Sequence, residues 1–154
     1  MTISKHPSPE SRIIANADFD DIKSNKLLIK DVLTAKEDEY YVFIYSSENN
    51  YDTLKQADLE PVIMRYFTYV HNNKKTNSDI IPIYGYDIDA YQPTADYKKC
   101  ADYLTSLSST FSISEVPVLV LVSEGNVSSV YKTIGGSNGI ESTLTKAMNT
   151  ETAE

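Results

Sequence analysis

Short apolar segments of two kinds alternate along this chain of 154 residues, and their order limits the fold more than any single motif does. Residues 40–46 (YYVFIYS), 80–88 (IIPIYGYDI) and 116–122 (VPVLVLV) are dense in aromatic and β-branched residues, which predicts buried strands. Pro82 indicates that the second of these strands lies at an edge or starts after the proline. The turn sequence SEGN then predicts that residues 127–133 pair back as a hairpin.

Segments with helical spacing of apolar residues lie between these strands. Pro61 is placed either near the start of the second helix or inside a longer helix that begins near Asn50. Thr94 is predicted to cap the third helix, and Asn138 with Glu141 has the spacing of a capping box for the last one. The four predicted helices cover residues 19–39, 59–70, 94–107 and 138–148.

With a short first strand at residues 12–15, the predicted order is βαβαβαββα. Strands separated by helices favour parallel pairing, whereas the final hairpin must be antiparallel. The sequence therefore predicts one α/β domain with a mixed central sheet and helices on both faces. We expect this domain to span residues 12–149, between a flexible arm at residues 1–11 and a polar tail at residues 150–154.

The charge of the chain argues against several classes of partner. A net charge of −8, a pI near 4.7 and only two arginines oppose binding to nucleic acid, which requires a basic face. The same charge opposes docking on an anionic membrane, and no apolar run reaches the length of a spanning helix. The N-terminal residues lack the apolar core of a signal peptide, so a cytoplasmic location is expected, with a removed leader as the open alternative.

Several of these segments, taken in order, resemble the thioredoxin-like superfamily. The strand YVFIYS resembles the central strand that leads into the redox turn of that family, and residues 59–62 (LEPV) resemble the proline-bearing helix that follows. Residues 83–89, which end in Asp-Ile-Asp, are similar to the third strand. Val116–Pro117, the hairpin and Gly135 resemble the cis-proline strand, hairpin and closing glycine. The resemblance covers residues 18–149, is strongest to bacteriocin-accessory-type bacterial members, and implies a three-layer thioredoxin fold.

The chain departs from that family at the residues that carry its chemistry. Alignment from the strand places Asn49 and Asp52 at the two cysteine positions, whereas alignment from the helix proline places Thr53 and Gln56 there. The only cysteine, Cys100, lies far from both pairs in the sequence. A dithiol reaction needs an attacking and a resolving sulfur, so the sequence predicts a degenerate, redox-inactive site.

Other candidate residues have simpler interpretations. Cys100 lies on the apolar stripe of its helix, which favours packing over a reactive or regulatory thiol. Ser137 lies in a Gly-x-Ser-x-Gly sequence, but both histidines precede it, so a hydrolase order is not present. Asp87 and Asp89 are interpreted as solvated turn formers in preference to a metal pair. Asn126 begins an Asn-x-Ser sequence that we attribute to chance.

The leading hypothesis is a protein-binding or assembly module that binds a protein or an extended peptide. In the family, the backbone before the cis-proline pairs with such a segment by β-addition, and this pairing does not require a thiol. No cofactor is expected, and two histidines with one cysteine give no zinc site. The predicted binding surface consists of Ser46, Ser47, Glu48, Asn49, Asn50, Tyr51, Asp52, Val116 and Pro117.

Two alternatives stay open from the sequence. The first is an oxidoreductase-related protein that uses Cys100 or a cysteine of its partner. The second is a structural or bacteriocin-accessory or immunity-type protein without a groove function. Thiol accessibility in the folded chain distinguishes the first alternative from the binding hypothesis, because a reactive cysteine must be exposed and ionised.

Overall fold

The structure is a computed structural model that describes residues 28–48, 51–73, 76–90 and 97–152, with side chains up to residue 149. Over these ranges the chain forms a four-stranded mixed sheet with three α-helices. No helix in the described ranges combines the length and the apolar character needed to cross a bilayer. The elements are β1 (Glu39–Tyr45), α1 (Thr53–Asn73), β2 (Ile83–Asp87), α2 (Cys100–Leu107), a 3-10 helix (Ile113–Glu115), β3 (Val118–Ser123), β4 (Asn126–Tyr131) and α3 (Ile140–Thr152).

The strands lie in the order β2-β1-β3-β4, so the first strand in the described chain is central. Strand β1 pairs in parallel with β2 and antiparallel with β3, and β4 returns antiparallel to β3. Val42 of β1 lies opposite Tyr84 on one side and Val120 on the other. Pro82 precedes β2, which confirms that this strand starts after the proline.

Strand β1 is buried on both faces of the sheet, which explains its continuous apolar sequence. Tyr41, Phe43 and Tyr45 join the core cluster formed with α1 and α3. Residues 40, 42 and 44 alternate to the other face and join the cluster formed with Tyr103 and Leu104 of α2. Helices therefore pack on both faces of the sheet, as the alternating segments predicted.

The long form of the second predicted helix is the one observed. Helix α1 begins at Thr53 and contains Pro61 in its interior, at an exposed position. Asp52 precedes the first helical residue, and its carboxylate oxygen Oδ1 accepts a hydrogen bond from the Lys55 amide at 3.0 Å. This is the N-cap arrangement, in which an acidic side chain satisfies an amide of the first turn.

The prediction of a helix up to residue 39 is wrong over residues 28–38. Leu28 forms an isolated parallel bridge to Gly85 of β2, and the following residues form bends and turns before β1 begins. Val32 is fully buried in the core, which accounts for the apolar spacing without a helix. The predicted strand at 12–15, the arm at 1–11 and the first part of this helix lie outside the described residues.

Two other helix boundaries differ from the predictions. Helix α2 begins at Cys100 with Lys99 at its N-cap, so Thr94, outside the described residues, does not cap it. Helix α3 begins directly after Gly139, one residue later than the predicted cap Asn138 requires. It continues to Thr152, so the predicted polar tail is helical over residues 150–152.

The glycine-rich sequence before α3 forms a close turn. A Cβ added at Gly139 would lie 2.5 Å from the carbonyl carbon of Gly135, a distance that only glycine permits. Ser137 is exposed in this turn. Backbone packing at the start of the helix thus requires glycine at position 139.

Candidate functional site

The loop that follows β1 is attached to α1 by a side chain that sequence reasoning overlooked. The Ser46 amide donates to Oε1 of Gln56 at 3.1 Å, and Nε2 of Gln56 donates to the Ser46 carbonyl at 2.9 Å. Ser46 is buried, with a relative exposure of 1%. A single amide side chain therefore satisfies both main-chain groups at the point where β1 ends.

Two carboxylates at the end of β2 hold the next residues of the loop. Oδ1 of Asp87 accepts from the Ser47 amide at 3.1 Å, and Oδ2 of Asp89 accepts from the Glu48 amide at 3.0 Å. The Ser46 hydroxyl donates to the same oxygen of Asp89. Hydrogen bonds to ionised acceptors are stronger than neutral ones, so these contacts fix the first half of the loop.

The interpretation of Asp87 and Asp89 as solvated turn formers is therefore wrong for Asp87, which is fully buried. Its Oδ1 also accepts from the Asp89 amide at 3.0 Å. The reason lies in the topology: β1 and β2 are parallel neighbours, so their carboxyl ends meet at one edge of the sheet. Within the described residues, no three His, Cys, Asp or Glu side chains are arranged to hold a metal ion.

The structure brings the loop and the Val116–Pro117 turn into contact, although they are far apart in sequence. The Asp52 amide donates to the Val116 carbonyl at 3.5 Å. Tyr51 packs against the same core cluster that contains Val116. The Val116–Pro117 peptide bond is cis. The described members of the predicted surface thus form one region, while Asn49 and Asn50 lie outside the described residues.

The main chain of Val116 is already bonded within the protein. Its amide donates to the Ile113 carbonyl at 3.2 Å, and its carbonyl accepts from Asp52. The side chain is completely buried. A partner that pairs with this backbone would first have to break the contact between Val116 and Asp52, whereas the side chains of Ser47 and Glu48 are exposed.

A network centred on Glu115 supports the turn from the other side. Nζ of Lys55 donates to the Glu115 carbonyl at 3.0 Å, and Nζ of Lys132 lies 3.2 Å from Oε2 of the Glu115 carboxylate. Burial lowers the pKa of Lys55. The Ser112 amide donates to Oε1 of Glu115 at 3.0 Å, which closes a capping box that the spacing Ser-x-x-Glu could have revealed.

Cys100 lies at the start of α2, half-buried, against the cluster that includes Tyr86. Its Sγ donates to the Ile88 carbonyl at 3.5 Å. Burial raises the pKa of the thiol, although the Tyr86 hydroxyl partly opposes that shift. Because the thiolate is the reactive form of cysteine, this environment disfavours nucleophilic chemistry at Cys100.

The chemical groups of the site are hydroxyls, carboxylates, an amide and a lysine, and its carboxylates at β2 accept main-chain hydrogen bonds.

No family model matches the chain, and no curated protein matches it. The function therefore has to be inferred from the residues of the site.

Proposed function

We propose that this chain is a thioredoxin-like domain that lacks thiol–disulfide activity and binds another protein. Its binding surface is the region where the loop after β1 meets the Val116–Pro117 turn. The observation that carries the proposal is the anchoring of this loop: Gln56, Asp87 and Asp89 together hold residues 46–48. A loop held by hydrogen bonds to three side chains is preorganised for recognition, because less conformational freedom is lost on binding.

The architecture supports the family part of the proposal. A central strand that pairs in parallel with the next strand and antiparallel with a strand following a cis-proline is what the resemblance implies. The parallel bridge from Leu28 to Gly85 lies on the outer side of β2, where the fold has its first strand. Helix α1 starts at Thr53, which favours the alignment that places Thr53 and Gln56 at the cysteine positions.

The chemistry of the site supports the absence of redox activity. Gln56 uses both ends of its amide to hold Ser46, so this position has a structural task. The sulfur of Cys100 donates to a carbonyl, and burial raises its pKa. The loop before the aligned cysteine positions presents the side chains of Ser47 and Glu48 to solvent. These side chains can contact a partner while the anchored loop stays in place. Dithiol exchange would instead require two sulfurs, which the loop does not supply.

The proposal is tested by capture of partners with variants of the exposed loop residues. Tagged full-length chain is incubated with extract of the source cells, and the bound proteins are identified by mass spectrometry. We expect a partner that the wild-type chain retains and that Glu48→Lys loses, because the Glu48 side chain is exposed and the anchoring of the loop uses its backbone amide. Glu124→Lys, at an exposed hairpin position, is the control with the same charge change.

Two outcomes contradict the proposal. Equal capture by the wild-type chain and the Glu48→Lys variant would show that the loop is not the binding surface. Reduction of insulin disulfides by the wild-type chain, abolished in Cys100→Ser, would establish thiol chemistry instead.

A further inference from the structure

The outward face of the first three turns of α1 carries an exposed apolar stripe. Leu54, Ala57 and Pro61 occur at spacings of three and four residues, so they lie on one side of the helix. All three are exposed. Leu54 has a relative exposure of 78% and is the exposed large hydrophobic residue among those that the structure describes.

This stripe does not contribute to the core. The opposite face of the same helix carries Leu59, Val62 and Ile63, which are buried against the sheet. The apolar residues on the outward face are therefore not required to attach α1 to the domain. A contiguous exposed apolar surface marks a contact site more often than a single exposed residue does, and this stripe is contiguous along the helix.

The charges around the stripe define the chemistry of the partner. Asp52 and Asp58 are exposed beside Leu54, and Glu48 is exposed on the adjoining loop. Nζ of Lys55 donates to the Glu115 carbonyl, and its charge also acts on the Asp52 carboxylate. The negative charge on this side therefore comes mainly from Asp58 and Glu48. Arg65 is exposed four residues after Pro61, at the C-terminal end of the stripe. With a net charge of −8 on the chain, the stripe attracts positively charged segments.

We infer that the stripe formed by Leu54, Ala57 and Pro61 docks a protein segment that presents an apolar side chain flanked by lysine or arginine. This inference rests on the proposed function and specifies its partner. The apolar side chain packs on Leu54, and the flanking cations lie near Asp52 and Asp58. A second copy of this chain is a poorer occupant, because it would bring acidic surfaces of two strongly negative molecules together.

The inference is tested with a phage-displayed library of random short peptides selected on the immobilised full-length chain. Enriched peptides are synthesised, and their dissociation constants are measured by fluorescence anisotropy at several salt concentrations. We expect enriched peptides to combine an apolar residue with lysine or arginine, and their affinity to fall as salt rises. Leu54→Ser is expected to weaken binding about tenfold or more, as for a central apolar contact.

Two charge reversals distinguish the local charge of Asp58 from the net charge of the chain. Asp58→Lys is expected to weaken binding, whereas Glu124→Lys, with the same change of net charge at a distant turn, is not. Enrichment of peptides without basic residues, or binding that Leu54→Ser leaves unchanged while Glu48→Lys abolishes it, overturns the inference but leaves the proposed function intact. Failure to enrich any peptide contradicts both. Self-association in sedimentation that Leu54→Ser removes would identify a second copy as the occupant and also overturns the inference.

Discussion

The two ends of strand β1 are both fastened by polar side chains, but with different chemistry. At the N-terminal end, tyrosine hydroxyls form the contacts: Tyr40 donates to the Val32 carbonyl at 2.7 Å, and Tyr103 accepts from the Val32 amide at 2.9 Å. Tyr84 donates to the Glu37 carboxylate at 2.7 Å. At the C-terminal end, Asp87 and Asp89 accept from the amides of the site loop.

The proposed binding surface lies at the carboxylate end, and the two kinds of side chain differ in what they leave exposed. The phenol groups bring aromatic surface into the core together with their hydroxyls, and Tyr40 meets Tyr84 edge to face with ring centres 5.7 Å apart. Short carboxylate side chains instead hold the backbone of the loop and leave the side chains of Ser47 and Glu48 exposed. A loop fastened through its amides keeps its side chains available to a partner.

The largest loss of stability is expected at alkaline pH, which ionises the tyrosine hydroxyls at the N-terminal end of β1 and breaks their hydrogen bonds. Burial raises the pKa of Tyr84 and Tyr103, and hydrogen bonds to Glu37 and Asp31 raise it further. Tyrosines of an unfolded chain ionise near pH 10. The stabilisation is therefore complete below that pH and is lost as pH rises through the raised pKa values of the folded chain. We expect cooperative unfolding in that range, followed by circular dichroism together with tyrosinate absorbance.

The alkaline prediction has a clear opposite outcome. Ionisation of all twelve tyrosines near pH 10 without loss of circular dichroism would show that the hydroxyls at the N-terminal end do not hold the fold.

The next largest loss of stability is expected from substitution of Asp87, beside the C-terminal end of β1. Asp87→Ala removes the acceptor of the Ser47 and Asp89 amides at a fully buried position. With each unsatisfied group costing about 1–3 kcal/mol, we expect the free energy of unfolding to fall by about 2–4 kcal/mol in urea denaturation. Asp79→Ala, at an exposed position, is the control and should change stability by less than about 0.5 kcal/mol. Equal effects of the two substitutions would contradict the anchoring role of Asp87.

A smaller effect is expected from removal of one hydroxyl at the tyrosine end. Tyr103→Phe keeps the aromatic ring but removes the acceptor of the buried Val32 amide and the donor to Asp31. We expect a loss of about 1–3 kcal/mol in the same denaturation experiment. Tyr131→Phe is the matched control, since Tyr131 is half-buried in the other core cluster. If the two variants unfold alike, the ring and not the hydroxyl of Tyr103 stabilises this end.

The smallest effect concerns the thiol near the carboxylate end. Burial raises the pKa of Cys100, so the native protein is expected to react with a thiol reagent more slowly than the urea-unfolded chain. Absorbance of the released chromophore measures both rates. Faster labelling of the folded protein would favour the alternative of a one-thiol redox protein.

Strand β1, strand β3 and the hairpin could be predicted because their residues are apolar or β-branched regardless of distant contacts. Residues 28–38 could not, since Val32 and its neighbours have helical spacing but are held by the side chains of Tyr40 and Tyr103, which approach from a strand and a helix. The candidate surface was predicted from the resemblance, and the structure brings its described members together. Gln56 and Asp87 were missed as anchors, because their roles depend on which strand ends are neighbours.

The sequence by itself determined the alternation of helices and strands, the continuous burial of β1 and the absence of a cysteine pair at the loop. These follow from local hydrophobic period and residue type, which need no knowledge of distant contacts. The tertiary structure alone decided that Asp87 and Asp89 hold the site loop, that Val116 is bonded to Asp52 and that Leu54 remains exposed. Parallel pairing of β1 with β2 brings together side chains that are some forty residues apart in the sequence, because the two strands end at the same edge of the sheet. No local sequence pattern predicts that proximity.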